Sequence, residues 1–305
     1  MDSREILEGI KRGERRYIAK AIRSIEAADS NSTAIIRELF RDPKESVRIG
    51  VTGPGGSGKS TMINKLAQKF DSESYKVAVL AVDPSSKITG GSFLGDRVRM
   101  QQLTDAKIFV HSIPSGEATG ALSLALRDDI RLLEYAGFNL IIIESVGAGQ
   151  TETDIRGIAD VVAVVFSPNT GDGIQVIKAG LTEIGDIYLA NKSDLRGASQ
   201  LYDSLKYHLS FSGKEVLSIS TKSGKGIGEL FDVLTKIISD KAPTTAERRK
   251  LQLESEIRDE LFSLFKNRLD EKLSVPENYK EFQKILSESK DPRQAAGKIL
   301  KCIKF

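Results

Sequence analysis

The sequence is poor in the residues that bind soft metal ions. It has one cysteine, Cys302, and two histidines, His111 and His208, which lie far apart in the chain. A single cysteine excludes an internal disulfide and a thiolate metal site. We therefore expect both histidines to be ordinary surface or core residues rather than metal ligands.

Long apolar runs and an excess of one charge are missing as well. The longest apolar runs, such as residues 161–166, have the length of a strand and are too short to cross a bilayer. The N-terminus has no long apolar stretch, so we expect no secretory signal and a cytoplasmic location. With 45 basic and 42 acidic residues the net charge is +3, which does not indicate a nucleic-acid or membrane partner.

A glycine-rich phosphate-binding motif occupies residues 53–60. The pattern G-x-x-x-x-G-K-[ST], or Walker A motif, is met by Gly53, Pro54, Gly55, Gly56, Ser57, Gly58, Lys59 and Ser60, and Thr61 follows. Backbone N–H groups of such a loop and the following helix N-terminus bind phosphate oxygens. We predict that Lys59 reaches the β- and γ-phosphates and that the Ser60 hydroxyl holds Mg²⁺. A chance glycine-rich turn is the alternative, and the flanking strand-like and helix-like runs argue against it.

Residues 47–241 alternate between strand-like and helix-like segments. The predicted strands are 47–52, 76–82, 108–113, 139–144, 161–167, 186–191 and 215–220. Most are rich in Val and Ile without alternation, which is typical of strands buried on both faces. The pattern predicts an α/β fold of the P-loop NTPase type, with a mostly parallel central sheet flanked by helices.

The motif N-K-x-D, which reads guanine in GTPases, occurs at Asn191, Lys192 and Asp194, directly after a predicted strand. The Asp194 carboxylate is suited to accept both guanine N1–H and the exocyclic amine, a donor pair that adenine lacks. The Lys192 stem is expected to lie over the ring. One strand later, Ser220, Thr221 and Lys222 occupy the place where GTPases present a backbone N–H to guanine O6.

Acidic residues at or near strand ends are candidates for the metal site. Glu144 ends an apolar strand, where it can orient Mg²⁺ or its water. Asp83 and Asp96 are further candidates, although Asp96 also suits a helix N-cap. Gln150 is a candidate for positioning the attacking water. The predicted catalytic set is Lys59, Asp96, Glu144 and Gln150, and the predicted metal set is Ser60, Asp83, Asp96 and Glu144.

Both ends of the chain look helical. The chain is predicted to divide into an N-terminal helical extension (1–46), a nucleotide-binding domain (47–243) and a C-terminal helical segment (244–305). An apolar stripe runs along the last segment, formed by Leu253, Ile257, Leu261, Leu264 and Phe265. It requires a partner surface, either on the same chain or on a second one.

Several longer runs resemble the P-loop metallochaperone-type GTPases of the MeaB/ArgK subgroup, whose older label is LAO/AO transport system ATPase or kinase. The runs that carry the resemblance are 15–26, 82–86, 89–100, 144–152, 171–180 and 191–194. The stretch T-G-G-S-x-L-G-D-R-x-R-M at 89–100 is long and specific. A glutamate at 144, where most small GTPases have aspartate, is also like this group.

The resemblance implies a GTPase chaperone of an adenosylcobalamin-dependent acyl-CoA mutase, chiefly methylmalonyl-CoA mutase. Members gate cofactor loading and protect the mutase. For this chain that implies GTP or GDP with Mg²⁺ as ligands, no direct cobalamin binding, and a homodimer whose dimerisation arm is 244–305. It also implies a mobile switch at 169–180, with Asp172 and Lys178 as the matching charged positions.

Two departures from the family pattern stand out. The family's loop reads G-x-P-G-x-G-K-S-T, whereas here proline is at 54 and glycine at 55. Residues 114–120 lack the arginine that the family carries in that segment, so we expect contact with the client to differ there. Two other functions remain as alternatives, a metal-insertion GTPase and a P-loop small-molecule kinase. The lack of a Cys/His motif and of an acceptor motif argues against them.

Overall fold

A seven-stranded parallel sheet forms the centre of the described chain. The computed structural model describes residues 2–83, 108–114, 121–145, 155–168, 182–242, 245–288 and 291–302. The strands are β1 (Val47–Thr52), β2 (Val77–Asp83), β3 (Phe109–Pro114), β4 (Leu140–Glu144), β5 (Val161–Phe166), β6 (Ile187–Ala190) and β7 (Glu215–Ser218). Their order in the sheet is β3-β2-β4-β1-β5-β6-β7, and every neighbouring pair is parallel.

The same described residues contain eleven helices. They are α1 (Ser3–Lys11), α2 (Arg15–Glu26), α3 (Ser32–Arg41), α4 (Lys59–Ser72), α5 (Ala121–Tyr135), α6 (Thr182–Ile184), α7 (Ala198–Leu209), α8 (Ile227–Lys241), α9 (Thr245–Ser274), α10 (Pro276–Glu288) and α11 (Pro292–Cys302). A 3₁₀ turn occupies Ile155–Gly157. The predicted fold class is confirmed, and each predicted strand end lies within two residues of the observed one.

Continuous apolar strands arise because both faces of the sheet are covered. All six residues of β5 are buried. In β4, Ile141 and Ile143 face one hydrophobic core, whereas Leu140 and Ile142 face the other. Successive side chains of a strand point to opposite faces, so a strand with helices on both sides has no position for a polar residue.

Different helices cover the two faces. Helix α4 packs on one face through residues such as Met62 and Leu66, together with Leu234 of α8. The other face is covered by α1, α2, α3 and α5, where Ile22 and Leu133 belong to one buried cluster with strand residues. The N-terminal helices therefore share a hydrophobic core with the sheet.

The chain separates into two compact units, Met1–Arg248 and Arg249–Phe305. In the second unit α10 and α11 contact each other. The apolar stripe predicted on α9 is exposed, with Leu261 61% and Phe265 47% accessible. The predicted boundaries at 46/47 and 243/244 stay predictions. Among the described residues no helix combines the length and the apolar character that crossing a membrane requires.

A buried ion pair fixes the start of the central strand to α5. Glu134 of α5 accepts hydrogen bonds from Arg48 Nε and Nη2 and from the backbone N–H and hydroxyl of Ser46, at 2.8–3.2 Å. All four bonds end on the same carboxylate oxygen. The side chains of Glu134 and Arg48 are only 4% and 12% exposed. Removing one partner of such a pair leaves a charge that water barely reaches.

We expect Glu134→Gln to lower the free energy of unfolding by about 3 kcal/mol, because the Arg48 charge loses its counter-ion in a nearly dry site. Urea unfolding followed by circular dichroism measures the change. The matched control is Glu73→Gln, which breaks an exposed pair with Lys69 and should cost less than about 1 kcal/mol. Equal losses in the two variants would contradict the assigned role of Glu134.

Candidate nucleotide-binding site

The phosphate loop leaves β1 in the middle of the sheet and leads into α4. Three of its glycines have backbone angles that disfavour other residues, with φ of 137° at Gly53, 73° at Gly56 and 95° at Gly58. A Cβ at Gly53 would lie 2.1 Å from the carbonyl oxygen of Val165, and one at Gly58 would lie 2.4 Å from Asn191 Nδ2. The loop is therefore packed against β5 at Gly53 and against the segment after β6 at Gly58, with no room for a side chain at either position.

Lys59, the first residue of α4, lies against this loop and is only 8% exposed. Its ammonium donates to the carbonyl oxygens of Gly53 at 2.8 Å and Pro54 at 3.2 Å. The two carbonyls hold the cation beside the backbone N–H groups of the loop. Lysine ammonium is a point charge with rotatable donors, so it can exchange a carbonyl oxygen for a phosphate oxygen without rebuilding the loop.

The hydroxyl of Ser60 donates to Glu144 Oε1 at 2.7 Å. Glu144 ends β4 and pairs in register with Val51 of β1, so the sheet delivers its carboxylate to the loop. The next residue is fixed as well, because Ser145 N donates to Val51 O at 3.0 Å and its hydroxyl to Thr52 Oγ1 at 2.8 Å.

These two oxygens fit a Mg²⁺ site. Mg²⁺ takes six oxygen ligands at about 2.0–2.1 Å, which puts neighbouring ligands about 3 Å apart. The 2.7 Å between Ser60 Oγ and Glu144 Oε1 is close to that spacing. Asp83, also predicted as a ligand, ends β2, the neighbour of β4, in a register that pairs Ala81 with Glu144. Only its backbone is described.

Other predicted residues lie outside the described part of the chain. These are Asp96, Gln150 and the whole switch 169–180 with Asp172 and Lys178, and of 114–120 the structure describes only residue 114. Thr61 lies in the first turn of α4, where the sequence places it. The assigned roles of all these residues stay predictions.

The side chain of Asn191 joins the phosphate loop to the two loops predicted to read the base. It is fully buried, its Nδ2 donates to the carbonyl oxygen of Ser57 at 2.8 Å, and its Oδ1 accepts from the Thr221 N–H at 3.2 Å. The sequence placed Asn191 among the nucleotide contacts. The hydrogen bonds of its side-chain amide go to protein groups. The sequence motif does not reveal this role, because it does not show which loops meet in the fold.

Lys192 makes a second link between the segment after β6 and the phosphate loop, and this link is exposed to solvent. Its backbone is left-handed, with φ of 60°, and its ammonium donates to the Gly56 carbonyl oxygen at 2.7 Å. The aliphatic stem thus runs from the segment after β6 to the phosphate loop. A planar base held between these loops would have room to pack on that stem, and the role of Lys192 toward the base stays a prediction.

Asp194 is held by the serine of the neighbouring loop. The Ser220 hydroxyl donates to Asp194 Oδ1 at 2.6 Å. This bond first, and then a backbone N–H and the charges of Lys222 and Lys192, lower the pKa of the Asp194 carboxyl below its usual value. The carboxylate is therefore ionised at neutral pH, the form that accepts two N–H donors.

The two loops that carry these residues are tied together by their backbones. Ser193 N donates to the Ile219 carbonyl oxygen at 3.0 Å, and Ile219 N donates to that of Ala190 at 2.9 Å. Asp194 and the residues 220–222 therefore form one framework. The arrangement combines a glycine-rich loop with a buried lysine, two oxygens that could hold a hard cation and an ionised carboxylate, which would suit a nucleoside triphosphate with a guanine base.

Comparison with known proteins gives relatives that span nearly the whole chain. A protein of Pyrococcus horikoshii is 36% identical over 311 residues, covering 98% of both chains. GTPase ArgK of Escherichia coli is 34% identical over 264 residues, covering 82% of this chain and 79% of ArgK. The mouse methylmalonic aciduria type A homolog, mitochondrial, is 28% identical and covers 97% of this chain and 78% of its own length.

Solved structures agree on the fold. A crystal structure of LAO/AO transport system kinase superposes with a TM-score of 0.74 at 22% identity, covering 99% of this chain and 98% of that one. Hydrogenase maturation factor HypB from Archaeoglobus fulgidus gives 0.50 at 20% identity over 67% of this chain and 95% of its own. At these identities the likeness concerns the fold alone.

The family comparison identifies the chain more closely. Residues 18–276 match the family described as methylmalonyl Co-A mutase-associated GTPase MeaB. That range includes the phosphate loop and the N-K-x-D motif. The resemblance drawn from the sequence motifs is confirmed, and the chain belongs to the MeaB family of methylmalonyl-CoA mutase-associated GTPases.

Proposed function

We propose that the protein binds GTP with Mg²⁺, hydrolyses it slowly, and uses this cycle to serve an adenosylcobalamin-dependent acyl-CoA mutase. In this role it gates cofactor loading and protects the mutase from inactivation. One observation supports the binding of GTP: Asp194 is ionised, and its loop is joined to the phosphate loop by a hydrogen bond from Asn191. Membership of the MeaB family supports the mutase part.

The preference for guanine follows from the hydrogen bonds that the Asp194 carboxylate can accept. An ionised carboxylate accepts hydrogen bonds only, and guanine offers N1–H and an amine on one edge. Adenine presents no such pair, so an ATP base there would leave the carboxylate poorly paired. Ser220 keeps the carboxylate oriented, which reduces the entropy lost when the base binds.

Phosphate binding and hydrolysis depend on the positive charge that the phosphate loop and Mg²⁺ would supply. Lys59 and the loop N–H groups neutralise the negative oxygens of the transferring phosphoryl group. Ser60 and Glu144 would hold Mg²⁺, which supplies further positive charge between the β- and γ-phosphates. Among the described residues we identify no general base, since Glu144 is engaged with Ser60. We therefore expect slow intrinsic turnover that the client accelerates.

Dimerisation supports the chaperone role. The α9 side chains Leu253, Ile257 and Leu264 are 46–57% exposed, and apolar stripes of this kind usually pair with another surface. We propose that residues 244–305 form the arm of a homodimer. The segment 169–180 is proposed as the switch that reports nucleotide state to the mutase.

For base choice, we expect Asp194→Asn to weaken GTP binding by at least about tenfold, because the amide presents a donor to a guanine donor. The same variant should gain affinity for xanthosine triphosphate, whose base has an oxygen in place of the amine. Fluorescence titration with labelled nucleotides measures both. Asp203→Asn, an exposed serine-bonded aspartate on α7, is the matched control and should change neither. Equal binding of ATP and GTP by the unmodified protein would refute the guanine assignment.

For the metal, we expect Glu144→Gln to lower GTP hydrolysis by about 100-fold and to raise the Mg²⁺ concentration needed for half-maximal rate, because a neutral amide holds the cation poorly. Phosphate release over a Mg²⁺ series measures both. Nucleotide affinity in the presence of chelator is the control and should not change. An unaltered Mg²⁺ dependence would show that Glu144 is not part of the metal site.

For the client, we expect the protein loaded with a non-hydrolysable GTP analogue to recover an adenosylcobalamin-dependent mutase from native lysate, identified by mass spectrometry. The Asp194→Asn variant offered the same analogue should recover much less. If no such mutase is enriched, or if both proteins recover equal amounts, the chaperone proposal fails while GTP binding is unaffected.

A further inference from the structure

Three potential metal ligands meet at the edge of the sheet, on elements that the nucleotide site does not use. Glu26 ends α2, His111 lies on β3, and Asp129 lies on α5. One ligand atom from each lies within 4.8 Å of the other two. His111 Nε2 and Glu26 Oε1 are 3.0 Å apart. Strand β3 lies at the edge of the described sheet, and α2 and α5 cover the face of the sheet to which Phe109 and Ile113 of β3 contribute.

Asp129 is the unusual member of this group. It is fully buried, on the same helix face as the buried Leu126, Ile130 and Leu133. Within the described residues neither of its carboxylate oxygens has a hydrogen-bond partner. A buried carboxylate is costly unless it is paired or coordinates a metal ion. Burial first, and then the charges of Glu26 and Asp128, raise the pKa of Asp129 to about 8.

We propose that Glu26, His111 and Asp129 form a binding site for one divalent transition-metal ion of the zinc class. An imidazole nitrogen with two carboxylates suits Zn²⁺, Co²⁺ or Mn²⁺, whereas Mg²⁺ and Ca²⁺ prefer oxygen ligands throughout. Three protein ligands leave a position for water. Binding of the ion displaces the proton of the Asp129 carboxyl and supplies the positive charge that the buried carboxylate needs.

Access and surroundings are consistent with such a site. The side chains of Glu26 and His111 are 27% and 24% exposed, so an ion reaches Asp129 from solvent between them. The neighbouring Asp128 accepts a hydrogen bond from Arg131 at 3.2 Å, so it belongs to a separate pair. The ion would join α2 to β3 and α5 and so clamp the N-terminal helices onto the sheet. His111 is then a ligand, contrary to the expectation from the sequence.

The experiment uses the tag-free full-length protein, stripped with chelator and then titrated with ZnCl₂ without nucleotide and with excess Mg²⁺. Calorimetry and elemental analysis should give one Zn²⁺ per chain. His111→Gln, Asp129→Asn and Glu26→Gln should each weaken binding by at least about tenfold, since even outer-sphere partners of a metal contribute that much. The matched control is His208→Gln, which removes the other histidine and should bind Zn²⁺ normally.

Thermal unfolding distinguishes a residue that binds the metal ion from one that only packs in the core. Zn²⁺ should raise the melting temperature of the unmodified protein and of His208→Gln but not of Asp129→Asn. The proposal is overturned if the protein takes up no stoichiometric Zn²⁺. It is also overturned if the three ligand variants bind Zn²⁺ as well as the unmodified protein, or if Asp129→Asn lowers stability while its Zn²⁺ affinity is unchanged.

Discussion

One buried amide sets the geometry on which the nucleotide site depends. Asn191 donates to the phosphate loop and accepts from the loop after β7, so the distance between phosphate and base subsites is fixed by a single short side chain. Asparagine has a donor and an acceptor at one end, and an aspartate there would set a negative oxygen against the Ser57 carbonyl. Gly58 is required for the same reason, because any Cβ would occupy the space of that amide.

The parallel sheet brings the two proposed Mg²⁺ ligands together across a long stretch of sequence. Ser60 and Glu144 are 84 positions apart, yet they meet because β4 is the spatial neighbour of β1. Carboxyl ends of parallel strands lie at one edge of the sheet, so residues that follow different strands converge there. The buried pair of Arg48 and Glu134 anchors the opposite end of β1, and the strand that enters the phosphate loop is thus held at both ends.

Much of this architecture could be predicted from the sequence because it follows local patterns. Most of the seven strands are continuous apolar runs, and the phosphate and guanine motifs have fixed spellings next to strand ends. The role of Asn191 could not be predicted, because it depends on which loops meet in three dimensions. Asp129 gave a partial signal, an acid on the apolar face of a helix, but its neighbours Glu26 and His111 become visible only in the fold.

The shared core of the N-terminal helices has a consequence for synthesis of the protein. Helices α1 to α3 are made before α5 and the strands whose apolar surface they cover. Until those elements emerge, Ile18, Ile22 and Ile35 have no native partner outside their own helices, and hydrophobic surface of this kind attracts aggregation. The apolar faces of these three helices therefore need protection from aggregation until α5 and the strands have been made.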